Sequence, residues 1–224
     1  MKMTRHPSRS HFLCAFPILS ASIFAALLMP RASLADILDQ YTFGPNGSTP
    51  GVLTPTLVGA NLSATSISPD AGLVLDLTSP AAQPATTPYL RTTFSIVSPT
   101  PAAAVANNAD FKFTLTANAG FLLNLTSLTF DAMRGGAGTP RGYDVRSSVD
   151  NFAATLGFAD LLTVRPTFTN VFINLGGTSF QNLSTITFKI FGYSPATGSS
   201  VDYDNILVNG TTGSIPLTGY TWKG

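Results

Sequence analysis

Asp110-Phe-Lys-Phe-Thr-Leu-Thr116 decides the fold class. In an extended chain Phe111, Phe113 and Leu115 point to one side and Lys112, Thr114 and Thr116 to the other, because successive side chains of a strand alternate between faces. A period of two does not suit a helix, which needs apolar residues three and four apart. The segment is therefore a half-buried strand of a sheet with one polar face. The same alternation recurs at Leu128-Thr-Phe-Asp131, Tyr143-Asp-Val-Arg146 and Ile186-Thr-Phe-Lys-Ile190, each flanked by turn-forming residues. Further strands are expected at 39–43, 57–63, 72–77, 89–97, 167–175 and 201–208. The total, about ten short strands, predicts an all-β protein, an antiparallel β-sandwich.

Between these segments, 44–51, 79–88, 98–108, 134–142 and 194–200 are rich in Gly, Pro, Ser and Asn and read as loops. Residues 151–162 are the one candidate for a short helix. The glycines of Arg134-Gly-Gly-Ala-Gly-Thr-Pro-Arg141 read as a hairpin-like connection between 128–134 and 141–149. No Gly-Lys-Ser/Thr follows them, so they are not a phosphate loop.

Composition agrees with this reading. None of the 224 residues is glutamate, all 11 acids are aspartate, and charged residues make up 10% of the chain. The strong, soluble helix former Glu is thus absent, and Lys, with four in the chain, is scarce. Both histidines (His6, His11) and the single cysteine (Cys14) lie near the N-terminus. They fall within a three-part secretory signal: basic Lys2, Arg5 and Arg9, the apolar run 12–29, and small Ser33 and Ala35 before a cut at Asp36. An uncleaved anchor is the alternative, but Pro17 and the Ala/Ser content weaken the run as a permanent spanning helix. The expected plan is a signal peptide at 1–35, a single sandwich domain at 36–210 and a short tail at 211–224. No stable membrane insertion is expected after cleavage. The leader holds four basic residues and no acid, so its removal takes the formal charge from +1 to −3. That balance offers no footprint for nucleic acid.

With no His or Cys after residue 35, a Ser-His-Asp relay, a thiolate nucleophile and the customary zinc ligands are all excluded. A glycosidase needs only paired carboxyls, for which Asp202 with Asp204, or Asp131 with Asp144, are the candidates. The expectation is a protein without enzymatic activity. In Val201-Asp-Tyr-Asp-Asn205, Asp202, Asp204 and Asn205 cluster hard oxygen ligands of the kind a structural calcium takes. The alternative is that Asp204 or Asn205 caps a bulge through side-chain to backbone bonds. Arg134, Arg141 and Arg146 either bind an acidic sugar or pair with Asp131, Asp144 and Asp150. Tyr220 and Trp222 form an aromatic pair that can stack on a sugar or fray with the chain end.

Four stretches together resemble the secreted β-sandwich proteins of bacteria that end in a PEP-CTERM sorting tail. They are Phe130-Asp-Ala-Met-Arg134, Gly138 to Phe152 with its Tyr143-Asp-Val-Arg-Ser-Ser148, Phe188-Lys-Ile-Phe-Gly-Tyr193, and Tyr203-Asp-Asn-Ile206 running on to Gly210. The resemblance covers about 111–210 and implies a jelly-roll-like sandwich, exported and displayed at the surface or in an extracellular polysaccharide matrix. After Gly210 there is no Pro-Glu-Pro, apolar helix or terminal Arg cluster. Sorting by an exosortase is therefore unsupported: either the protein is released, or the chain has lost or never had that tail. The leading expectation is a secreted or cell-surface structural or adhesive protein. The alternative is a lectin-like module that binds carbohydrate through Arg141, Tyr143 and Arg146, with or without calcium.

Overall fold

The computed structural model describes residues 36–44, 52–76, 88–136 and 140–215. The expected leader, most of the loops at 44–51 and 79–88, and Tyr220 and Trp222 lie outside the described residues. Within them the chain forms thirteen strands, packed as two antiparallel sheets in a jelly-roll-like sandwich.

The six-stranded sheet contains the stretch that opened the sequence reading. It orders β10 (Gly157–Asp160), β9 (Gly142–Ser147), β12 (Thr185–Tyr193), β7 (Asp110–Ala117) and β3 (Leu62–Ala64), with β4 (Ser68–Pro69) also on β7. Register follows the apolar pattern: Phe111 lies opposite Ile190, Phe113 opposite Phe188 and Leu115 opposite Ile186. All six are buried. Their partners across the core come from the seven-stranded sheet, which orders β11 (Thr169–Asn174), β8 (Phe121–Arg134), β13 (Ser200–Ser214), β1 (Asp36–Tyr41) and β2 (Leu57–Val58). In that sheet β6 (Leu90–Phe94) pairs with β13, and β5 (Leu73–Asp76) pairs with β6. Aromatic rings fill the space between the sheets, with Tyr203 edge-on to Phe111 at 5.0 Å and Tyr41 tilted on Phe113 at 5.2 Å. Burial of such rings is the main driving force for closing the sandwich.

Four expectations need correcting. Residues 151–162 are not helical: they carry a 3₁₀ turn's end and then β10, whose alternation is masked in the sequence by Gly157 and Ala159 on its inward face. A helix stands instead in the expected loop 98–108, as α1 (Pro101–Ala106). The Thr100 hydroxyl caps it by accepting the Ala103 N–H at 3.2 Å, and Pro101 sits at its first turn, where a missing N–H costs nothing. Next, β8 and β9 are not a hairpin, since they belong to different sheets. Finally, β13 continues past Gly210 and pairs with β8 as far as Ser214 opposite Phe121, so the first residues of the expected tail are sheet.

β8 is also longer than its visible alternation. Leu123 and Leu125 face inward, then Leu128 and Phe130, so the inward parity flips. The ladder explains this: Asn209 pairs with Ser127 but Gly210 with Leu125, which leaves Thr126 as the extra residue of a bulge.

Candidate functional site

The two edge strands β10 and β11, one from each sheet, face each other at one side of the sandwich. Their inward positions decide how far that side closes. On β11 these are Val171 and Ile173, and on β10 only Gly157 and Ala159. Ile173 packs where a Gly157 side chain would stand, closing one end. Beside the small Ala159 the sheets stay apart, leaving a cleft of about 300 Å³ lined by Tyr143, Asp160, Leu161, Leu162, Thr163, Thr169, Asn170 and Val171 besides Ala159. Tyr143 reaches it from β9, with its ring held edge-on by Phe130 at 5.2 Å. The Thr163 and Thr169 hydroxyls bond each other at 2.7 Å and close the loop between the edge strands into a lip. Of the lining residues Leu162 is 82% exposed; on the outward positions of the two edge strands Phe158 is 60% exposed and Phe172 65%.

A glycine shapes the β10 side. A side chain at Gly142 would overlap both the Ala159 carbonyl of β10 and the Tyr193 ring, which lies across it so that the Tyr193 hydroxyl donates to Asp160 Oδ1 at 2.8 Å.

The lip continues into a group of arginines. The Leu161 N–H donates to the Arg141 carbonyl at 2.8 Å, the Arg134 N–H to the Thr163 carbonyl at 3.0 Å, and the Arg165 N–H to the Arg134 carbonyl at 3.2 Å. Arg141 Nη1 donates to the Ser200 carbonyl at 2.9 Å and Arg165 Nη2 to the Ser200 hydroxyl at 3.1 Å. A Cβ at Gly135 would strike that hydroxyl and the Arg165 guanidinium, so only glycine lets the chain leave β8 here. Asp202 is wholly buried at the centre: Arg165 donates to both its oxygens, and Arg91 Nε lies 3.4 Å from Oδ1. Burial pushes the Asp202 carboxyl above its ordinary range, against the pull of Arg165 and Arg91. Burial also lowers the Arg141 guanidinium, and the nearby positive charge of Arg134 lowers it further.

The structure separates the predicted binding residues. Arg141 and Tyr143 lie beside the cleft. Arg146, three residues from Tyr143 along β9, necessarily faces the other way. There its Nε donates to Asp144 Oδ2 at 2.9 Å and its Nη1 to the Phe152 and Ala153 carbonyls at 3.0 and 2.8 Å. It therefore ties down the loop after β9 and lies away from the cleft.

The predicted metal ligands are likewise not gathered into one set. Asp202 is held by arginines. β13 bulges just after Asp204, where Asn205 takes a φ of 47° and its N–H donates to Asp204 Oδ1 at 2.7 Å. The bulge-cap reading of this segment is the one the geometry matches. The Asn205 and Asn170 amides donate to the two oxygens of Asp131, both at 2.9 Å. Among the described residues no three acidic, His or Cys side chains come together as a metal site. Of the two candidate carboxyl pairs, Asp131 and Asp144 belong to different sheets, and Asp131 instead faces Asp204 across the β8–β13 ladder. Neither Asp131 nor Asp204 lines the cleft.

No family model matches the chain, and no curated protein matches its sequence. Among solved structures it is similar to the CBM22-1 xylan-binding domain from Paenibacillus barcinonensis Xyn10C, at 12% identity and a TM-score of 0.40 over 80% of this chain and 97% of that one. The cleaved adhesin domain K3 of Lys-gingipain from Porphyromonas gingivalis is similar at 13% identity and a TM-score of 0.40, covering 79% of this chain and 99% of that one. The family 29 carbohydrate-binding module from Piromyces equi follows at 7% identity and a TM-score of 0.39, covering 80% and 91%.

Sequence reasoning missed Asp160, Leu162, Thr163, Arg165, Thr169 and Asn170. The available signal was the alternation Gly157-Phe-Ala-Asp160, whose small inward residues mark a strand that leaves room beside it.

Proposed function

We propose that this chain is a non-catalytic carbohydrate-binding protein and that the β10–β11 cleft holds a short stretch of a glycan chain. The cleft carries the reading. Its floor is an aromatic ring and aliphatic side chains, suited to the C–H face of a pyranose. Its rim offers the carboxylate of Asp160, the hydroxyls of Thr163 and Thr169 and the amide of Asn170, suited to sugar hydroxyls. The leader-like residues 1–35 and the resemblance of 111–210 to PEP-CTERM-type sandwiches support a setting outside the cell, where such binding would attach the protein to a polysaccharide matrix.

The test is a glycan array and a pull-down on insoluble polysaccharides, comparing the parent with Leu162→Asp and Asn170→Ala. Both positions are exposed, so both variants should keep the parent's circular dichroism spectrum. Binding by the parent that falls about tenfold or more in the variants is the expected outcome. A folded parent that retains no glycan refutes the proposal.

A further inference from the structure

We propose that the arginine group beside the cleft is an anion-recognition site, so that the glycan bound there is an acidic one carrying carboxylate or sulfate groups. This rests on the carbohydrate reading and adds the class of substrate.

Five arginines follow residue 35, and four of them (Arg91, Arg134, Arg141 and Arg165) gather at this end of the sandwich. The acids among them are Asp202 and, 3.9 Å from Arg91 Nη1, Asp76. Positive charge is therefore in excess by two where the whole chain after residue 35 is acidic. Asp202 occupies Arg165 and Arg91. Arg134 is different. Its side chain is half-buried, and among the described residues its buried Nε has no hydrogen-bond acceptor.

An N–H buried without an acceptor is costly, and so are like charges held together away from water. A bound oxyanion removes both costs, because a guanidinium presents paired N–H groups that match carboxylate and sulfate oxygens. Continuity with the cleft comes from the backbone: the carbonyl of Thr163, a cleft residue, accepts from Arg134, and Arg165 follows two residues later. A chain seated over Tyr143 would extend an acidic substituent toward Arg134. Neutral glycans would leave the arginine charge unanswered.

Affinity of the full-length protein is measured for neutral chains (xylan, β-glucan), carboxylated chains (polygalacturonate, alginate) and a sulfated chain (dextran sulfate), at low and high salt. The expected result is binding to a carboxylated or sulfated chain at least tenfold tighter than to neutral ones, weakened by salt, with the two acidic arms showing which substituent is read. Arg134→Gln should lose about tenfold or more of that affinity, and Arg146→Gln, on the opposite face of β9, should lose none. Gly136→Asp provides an independent check on folding, since its Cβ would lie 3.8 and 3.9 Å from the Arg141 guanidinium nitrogens. The new carboxylate should occupy the site from within, raising the melting temperature while abolishing acidic binding. Equal binding to neutral chains, indifferent to Arg134→Gln, overturns the anion site and leaves the cleft reading intact. Absence of binding to every chain overturns both. Acidic binding that survives Gly136→Asp or depends on Arg146 also overturns the anion site.

Discussion

Replacing Asp202 tests how this end of the sandwich is held together. The carboxylate is fully buried, and Arg165 and Arg91 both converge on it, at 19% and 16% side-chain exposure. Removing one member of a buried ion pair leaves the other charge without compensation, at a cost of about 3–5 kcal/mol. Arg134 and Arg141 add like charge nearby, which places Asp202→Ala toward the upper part of that range. For a domain of this size each kcal/mol moves the melting temperature by roughly 2–4 °C, so the loss should be about 6–20 °C. Asp202→Asn separates charge from packing: it keeps the volume but removes the charge, and should lose nearly as much as the alanine variant. Added sulfate or phosphate should restore part of the loss in both variants by standing in for the carboxylate. Thermal unfolding followed by circular dichroism, with and without a chelator, provides the assay. If Asp202 served a calcium ion instead, chelator would lower the parent's melting temperature and leave Asp202→Ala unchanged. That pattern, or a shift under about 2 °C in both variants, refutes the arginine account.

Two further outcomes follow from buried groups. Asp39 is fully buried, and among the described residues its carboxylate oxygens meet no hydrogen-bond partner in good geometry: Tyr41 donates its hydroxyl to the Thr65 carbonyl at 2.6 Å, and Tyr41 and the Gln40 N–H offset the effect of burial only in part. Burial raises both Asp39 and Asp204 from 3.8 to about 7. A carboxyl with a raised folded-state value binds its proton more tightly folded than unfolded. Its contribution is therefore complete below about pH 4 and is lost as pH rises to about 7, by at most about 1.4 kcal/mol per pH unit for each group. Urea midpoints should fall across that window in the parent, and Asp39→Asn should flatten the slope and gain stability at pH 8; a parent profile that rises from pH 4 to 7 contradicts this. At the β10 edge, Gly142→Ala should cost about 1–3 kcal/mol by displacing the Tyr193 ring and its bond to Asp160, read as a lower urea midpoint at unchanged slope. Tyr193→Ala should leave much of that penalty in the double variant, because the Ala159 backbone carbonyl also stands where the new Cβ would go.

Little of the candidate site is legible in the sequence, and what is comes one residue at a time. Tyr143 and Arg141 stand out within their own segment; Tyr143 lines the cleft and Arg141 lies beside it. Arg146 was misplaced although its spacing from Tyr143 is odd, which in a strand already assigns the two to opposite faces. Arg165 attracted no notice because nothing local distinguishes an arginine before a proline. Its importance comes from Asp202, 37 residues later.

The sequence by itself determined which side of β7 and of β12 is buried. Phe111, Phe113 and Leu115, and Ile186, Phe188 and Ile190, alternate with polar residues, and water separates the two sets whatever the topology. The same chain also excluded catalysis by His or Cys after its leader-like segment. Only the tertiary structure decided which strands became edges, that β8 and β9 lie in different sheets, and that four arginines spread from Arg91 to Arg165 meet around one aspartate. Alternation is a local property, set by backbone geometry and the nearest side chains. Sheet order, edge gaps and charge clusters depend on which distant segments pack together, and no period within a strand encodes that choice.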